Sequence, residues 1–297
     1  MKLLITGAGG FIGSSLMKPM SKIGEIFTIG REKGKFKNHC KINFNNQDEI
    51  ENYFSSAPKF DALVYFIGLA HNKGNKNNLD EHIFVNQTIL ERIVRSLKKH
   101  QNNNYLKIVF SSTISVYGEQ YGKKIYDEGQ LLAPCSPYAI SKKSAEDFLL
   151  KYHRSNSWIL RYAPVYGEKF MLNINRRTKV GNFFFKIGNG KSRLSLCNVQ
   201  NIEISILSIL KDEIPNGVYN ISDYKIYNYN DLLNVQKAKN LIRFPTFFVY
   251  ILYLIFKIFK INSLRENSIK LLTDNIYPSS KLNEYISTDK DLSCITT

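Results

Sequence analysis

Acidic residues are scarce in this chain: 25 Asp and Glu stand against 41 Lys and Arg in 297 residues, a formal net charge of +16. Cysteine is scarcer still. Cys40, Cys135, Cys197 and Cys294 are scattered with neither metal-ligand nor disulfide spacing, which argues against a zinc module or a disulfide scaffold and suits a reducing cytoplasm. No apolar run reaches the roughly 20 residues of a comfortable transmembrane helix. No leader is expected, because Met1 runs straight into an apolar strand, and neither an internal repeat nor a long flexible linker is visible. A basic excess can serve nucleic acid or an anionic membrane. Here it is dispersed and no nucleic-acid module is recognisable, so a positive field around pyrophosphate-bearing ligands is a sufficient use for part of it. What remains is an ordinary globular composition, 43% hydrophobic, in a chain long enough to bury a large core.

Leu3-Leu4-Ile5 is a short apolar run that ends in Thr6-Gly7-Ala8-Gly9-Gly10-Phe11-Ile12-Gly13, after which helical spacing continues to Met20. A run with this look is a buried parallel strand, and strand, glycine turn and helix in that order form the context of a dinucleotide-binding turn. Gly7 permits the tight turn, Gly10 lets the backbone approach a pyrophosphate, and Gly13 lets the helix pack against the strand. The anion then meets the free N–H groups of the helix start. The spacing is Gly-x-x-Gly-x-x-Gly. The second strand, Ile26-Phe27-Thr28-Ile29, ends in Gly30-Arg31-Glu32-Lys33, where an NAD site usually places a carboxylate for the ribose hydroxyl. Arg31 suits a 2′-phosphate better and favours NADP(H); Glu32 is near enough to keep NAD(H) open, and Arg31 reads equally well as a solvated loop charge.

Ile108-Val109-Phe110 is a further apolar strand with Ser111-Ser112-Thr113 at its carboxyl end, the end at which open α/β sheets bind ligands. Ser136-Pro137 marks a helix start, serine as N-cap and proline at the first helical position. Tyr138 and Lys142 follow at i and i+4 on one helix face. A phenol titrates near 10, about three units too high for a base at neutral pH, and a neighbouring ammonium favours its phenolate. The expectation is therefore a tyrosine made acidic by its lysine. It exchanges a proton with a substrate hydroxyl that Thr113 also holds, while a hydride moves to or from a nicotinamide.

These segments resemble the extended short-chain dehydrogenase/reductases, the epimerase/dehydratase group acting on nucleotide sugars. The matching stretches are the glycine turn, Phe66-Ile67-Gly68-Leu69-Ala70, Val85-Asn86, Phe110-Ser111-Ser112-Thr113-Ile114-Ser115-Val116-Tyr117-Gly118, Ser136-Pro137-Tyr138-Ala139-Ile140-Ser141-Lys142 and Leu160-Arg161-Tyr162-Ala163-Pro164-Val165-Tyr166-Gly167. They cover residues 1–210 clearly and the remainder loosely. The resemblance implies an α/β fold: a Rossmann-type doubly wound parallel sheet over residues 1–165, and a smaller C-terminal substrate-binding lobe over 166–297 that returns some strands to the main sheet. It implies Thr113, Tyr138 and Lys142 as the catalytic set. The cofactor would lie against Gly7, Gly10, Phe11, Ile12, Gly13, Arg31, Asn43, Phe44, Phe66, Gly68, Asn86, Tyr138 and Lys142. The substrate would lie against Ala70, His71, Thr113, Asn182, Arg193 and Arg265. Asn182 matches the asparagine that usually bonds the diphosphate. Arg193 and Arg265 are candidate diphosphate clamps, a guanidinium being matched to phosphate oxygens, or else exposed basic side chains. A homodimer is expected.

The 4,6-dehydratases of the group carry Asp-Glu directly after the threonine; here Ile114-Ser115 follows Thr113, so that reaction is not expected. A 4-epimerase and a 4-ketoreductase remain, in precursor synthesis for surface polysaccharides, beside a catalytically silent relative that senses NADP(H). One stretch stands outside this reading. Phe244 to Phe256 is apolar on every side and continues to Ile261 between Arg243, Lys257 and Lys260. It suits a helix lying in a membrane interface, or one buried in the lobe or in a subunit contact. In the first case a lipid-diphosphate-linked sugar becomes a candidate substrate.

Overall fold

The structure, a computed structural model, describes residues 1–69, 78–103, 105–118 and 120–295. Seven strands build the central sheet: β1 (Lys2–Thr6), β2 (Glu25–Gly30), β3 (His39–Lys41), β4 (Ala62–Tyr65), β5 (Lys107–Thr113), β6 (Ser157–Tyr162) and β7 (Gly217–Ile221). Their spatial order is β7-β6-β5-β4-β1-β2-β3. β1 pairs in parallel with β2 on one side and β4 on the other, and β5 continues beyond β4 in the same sense. The strand order reverses at β1, so the carboxyl ends of β1, β2 and β4 open onto one crevice, where sheets of this kind bind ligands. The expected doubly wound α/β architecture is the one observed.

Ten α-helices follow in chain order: α1 (Phe11–Met20), α2 (Gln47–Ser56), α3 (Leu79–Ile83), α4 (Ile89–Gln101), α5 (Pro137–Tyr152), α6 (Leu172–Thr178), α7 (Val199–Leu210), α8 (Tyr229–Val235), α9 (Thr246–Ile258) and α10 (Asn262–Leu272), counted among the described residues. β1 and β4 are continuous apolar runs because both of their faces are covered; their Leu3, Leu4, Ile5, Leu63 and Val64 are fully buried. On one face Leu4, Leu63 and Ile108 of the strands meet Ile50 and Phe54 of α2, Leu90, Ile93, Val94 and Leu97 of α4, and Leu149 of α5. The spacing of the α4 residues is the stripe of an amphipathic helix. Asn46 caps α2, its side-chain oxygen accepting from the backbone N–H groups of Asp48 and Glu49 at 3.0 and 3.4 Å.

The chain divides into two compact units and passes between them repeatedly. The first holds Met1–Thr113, Pro137–Leu160 and Ser205–Val218; the second holds Ile114–Ser136, Arg161–Ile204 and Tyr219–Thr297. The second unit has its own core, in which Tyr166, Ile174, Leu194, Leu196, Tyr227, Tyr229 and Leu232 pack together. A buried carboxylate ties its segments: Asp223 accepts from the Tyr166 and Tyr227 hydroxyls at 2.6 and 2.9 Å, from the Asn198 backbone N–H at 2.6 Å and from the Asn201 amide at 2.8 Å. The low-dielectric surroundings strengthen these four bonds, which join residues 166, 198, 201 and 227 to one side chain. A three-stranded sheet of Lys179–Val180, Phe183–Ile187 and Leu241–Phe244 leads into α9, and α9 packs against α10. Among the described residues no helix is long and apolar enough to cross a membrane.

Candidate active site

The glycine turn is built as its sequence requires. Gly7 has φ +69°, and a Cβ there would stand 2.7 Å from the Phe66 carbonyl carbon. A Cβ on Gly13 would stand 2.4 Å from the Gly7 carbonyl oxygen. Gly7 is therefore demanded by its positive φ and by the backbone that follows β4, and Gly13 by the close packing of α1 on the turn. Gly9 differs: among the described residues nothing lies within 4 Å of a Cβ placed on it. Gly10 is the N-cap of α1, and no side chain caps that helix start. Open space over Gly9 beside an uncapped helix N-terminus is what a pyrophosphate needs, so the turn fits the dinucleotide that its motif implies.

Behind the turn, Thr6 faces Ile29 on one side and Tyr65 on the other. Phe66 extends the β4 line, its N–H donating to the Thr6 carbonyl at 3.2 Å. Gly68 follows, and a Cβ on it would lie 3.3 Å from Asn86 Oδ1 and 3.3 Å from Lys142 Nζ. The glycine thus leaves room where three chain segments meet. Asn86 is fully buried in a π-helical turn, Phe84–Thr88, a distortion often found at functional sites. Its Oδ1 accepts from the Leu69 N–H at 2.7 Å, and its amide donates to Ser141 Oγ at 2.8 Å.

Tyr138, Lys142 and Glu146 succeed one another at four-residue spacing on one face of α5. Tyr138 is hydrogen-bonded to Thr113 at the end of β5, and its phenol is pushed up to about 12 by burial, the Thr113 bond opposing in part. Lys142 is pulled down to about 7 by burial, the Glu146 charge opposing in part. Its Nζ donates to the Ser111 carbonyl at 2.8 Å and lies 4.7 Å from the Phe110 ring centre. The expected acidic tyrosine is thereby corrected. Desolvation outweighs the favourable partners in this state, and the ammonium that was to favour the phenolate is itself close to losing its proton at neutral pH.

Two further residues belong to this cluster and were not singled out from the sequence. Glu146 is fully buried and accepts a short hydrogen bond from Ser112 Oγ, placing a carboxylate one turn beyond Lys142. The signal that could have found it is the i, i+4 repeat on α5. His82, in α3, meets the Tyr138 ring edge-on at a centroid distance of 6.4 Å, and its buried Nδ1 has no hydrogen-bond partner among the described residues. Nothing in the local sequence marks it.

The remaining expected residues are placed as follows. Arg31 is exposed just past the end of β2. Asn43 is exposed, with its side-chain oxygen accepting from the Asn45 N–H at 3.1 Å, whereas the Phe44 side chain lies in the core cluster. Phe11 and Ile12 open α1, half-buried. Ala70 and His71 lie outside the described residues. In the second unit, Asn182 is exposed in the turn between Lys179–Val180 and Phe183–Ile187. Arg193 is engaged by Asp274, its Nε and Nη2 each 3.0 Å from Oδ2. Arg265 Nη2 lies 3.4 Å from Cys135 Sγ, and its buried Nε has no partner among the described residues.

A doubly wound sheet carrying this turn and this helix is that of an extended short-chain dehydrogenase/reductase. The chain belongs to the NAD dependent epimerase/dehydratase family, whose family model matches residues 3–222. An uncharacterised UDP-glucose epimerase of Bacillus subtilis, YtcB, is 29% identical over 188 residues, covering 57% of this chain and 58% of that one. Protein CapI of Staphylococcus aureus is 28% identical over 184 residues, covering 56% and 55%. The chain spans little more than half the length of these curated relatives. The structure of a UDP-glucuronic acid 4-epimerase from Bacillus cereus in complex with NAD is 19% identical, with a TM-score of 0.72 over 99% of this chain and 93% of that one; that likeness is one of fold.

Proposed function

We propose that this chain is an NAD(P)-dependent enzyme acting at C4 of a nucleotide sugar, as a 4-epimerase or a 4-ketoreductase, in the assembly of surface-polysaccharide precursors. The observation that carries the reading is the meeting of Tyr138, Thr113 and Lys142 with Gly68 and Asn86 beside an uncapped glycine turn. A bound nicotinamide supplies hydride chemistry. The chain's own part is proton transfer and positioning. Tyr138 exchanges a proton with the sugar hydroxyl, Thr113 donates to or accepts from the same oxygen, and Lys142 supplies positive charge that offsets the developing phenolate. A phenol near 12 is a competent proton donor to an alkoxide, which suits the reducing half of either reaction. Ile114-Ser115 after Thr113 offers no acid–base pair for removing water, so a 4,6-dehydratase is not proposed.

In this reading residues 1–165 carry the dinucleotide and residues 166–297 mostly the sugar nucleotide, with Asn182, Arg193 and Arg265 toward the diphosphate. Arg193 serves only if the anion competes with Asp274. The working state is a cytoplasmic homodimer, and the cofactor is NADP(H) or NAD(H), with NADP(H) favoured because Arg31 comes first after β2 and Glu32 stands behind it. Light scattering checks the first. For the second, Arg31→Ala weakens NADPH more than NADH by roughly tenfold; equal effects would remove the preference. A lipid-diphosphate-linked sugar is a second substrate class, favoured by the exposed apolar face of α9. The deciding experiment identifies the dinucleotide released from denatured protein and follows turnover of UDP-sugars and of a 4-keto-6-deoxy sugar nucleotide. Retained NAD+ with interconversion of UDP-hexoses supports the epimerase. Consumption of NADPH by the keto sugar supports the reductase. Dinucleotide binding without turnover of either sugar nucleotide would leave the silent relative, and failure to bind either dinucleotide would remove both readings.

A further inference from the structure

Helix α9 is apolar on nearly every side, yet only Val249 and Tyr253 of its residues are buried. Phe247, Phe248, Ile251, Leu254, Ile255 and Ile258 are exposed, Phe247 by 65% and Ile258 by 74%. At 100° per residue these six fall on one broad face, opposite the Val249–Tyr253 side that packs on the protein. An exposed patch of this kind marks an interaction surface. Its chemistry identifies the partner. From Gln236 to Leu264 the chain carries Lys237, Lys239, Arg243, Lys257 and Lys260 and no acidic residue, and all five basic side chains belong to exposed residues. Tyr121, half exposed, stacks on Tyr253 at 5.1 Å beside the exposed Tyr250. Apolar body, basic rim and flanking tyrosines are the composition of a helix that lies in the boundary between headgroups and acyl chains. The helix has 13 residues and is about 20 Å long, short of the roughly 30 Å hydrocarbon layer, so it lies in the plane rather than across it.

We propose that α9 docks the protein on an anionic phospholipid surface, its apolar face entering the acyl boundary and Arg243, Lys257 and Lys260 meeting the headgroup charges. A second copy of the chain fits less well. In a two-fold contact the same patch meets itself, which would set one basic rim against another in a molecule of net charge +16.

The proposal goes beyond the catalytic reading, and its test needs no substrate. The full chain is sedimented with vesicles of phosphatidylcholine alone and with vesicles containing phosphatidylglycerol. The expected result is strong recovery on the anionic vesicles, lost with Ile251→Glu/Ile258→Glu and reduced about fivefold per charge removed in Lys257→Gln/Lys260→Gln. Melting temperature and dinucleotide binding of the variants should match the parent, since all four side chains are exposed. A Phe247→Trp variant should shift its emission to the blue on anionic vesicles only, and this readout stands if the glutamate pair fails to fold. A parent chain that stays in the supernatant would overturn the proposal. So would a dimer that the glutamate pair converts to monomer without any vesicle binding by the parent, which would give the face to a second copy.

Discussion

Tyr138 and Lys142 show how far burial moves a pair that spacing alone makes look self-sufficient. A proton-transfer role predicts that Tyr138→Phe lowers kcat by about 10²–10⁴ while the dinucleotide dissociation constant is unchanged; full activity in that variant would remove the assignment. Lys142 gives a pH signature with a definite sign. Its ordinary value is 10.5 and the folded value is about 7. Between these the unfolded chain holds a proton that the folded chain has released, so this residue makes stability rise with pH across that window and level off below it. Melting temperatures of the parent and of Lys142→Met, taken from pH 6 to pH 10, should converge at the acid end in slope and diverge between; parallel curves would show an unperturbed lysine. The tyrosine, lysine and threonine were legible because their spacing is local to α5 and the end of β5. Glu146 shares the four-residue spacing on α5, but its partner Ser112 lies on another segment; His82 has no local mark, and the tyrosine's raised value was not legible because desolvation is a tertiary property.

At the scale of the element, the glycine turn separates two roles that its sequence merges. Gly13 is held by packing, with 2.4 Å between a would-be Cβ and the Gly7 carbonyl, whereas Gly9 looks onto open space. Gly13→Ala should therefore destabilise the fold by roughly 1–3 kcal/mol. Gly9→Ala should leave the melting temperature in place and weaken dinucleotide binding. Calorimetric melting and a binding titration on both variants check this, and equal behaviour of the two would contradict the division. Strand β1, strand β2 and the start of α5 are legible for the same reason as the turn: each is an apolar run or a Ser-Pro start bounded by clear punctuation. Phe44, expected at the cofactor, lies three residues past β3 with its side chain in the hydrophobic cluster that also holds Ile50 and Phe54 of α2. Sequence fixes neither which side of a loop a side chain leaves from nor what covers it. The apolar helix was equally visible in the sequence, but its exposure was not.

For the whole molecule, the net charge of +16 acts beyond individual contacts. A positive field raises encounter rates with anionic ligands and is screened over about 8 Å at physiological salt. For a nucleotide-sugar substrate, kcat/KM is expected to fall severalfold between about 50 and 500 mM salt with kcat changed less; a salt-independent kcat/KM would show that the charge is not used in capture.

The path of the chain through its two units also bears on synthesis. Strands β1 to β5 are complete by Thr113, but β6 begins only at Ser157 and β7 at Gly217. On a translating ribosome β5 is for a time the open border of a partial sheet, and the roughly 44 residues before β6 take on the order of 2–9 s to add. Through that interval the nascent chain presents unpaired backbone donors and acceptors of the kind that recruit foreign strands. Closing the edge of an early strand therefore waits on the synthesis of a late one.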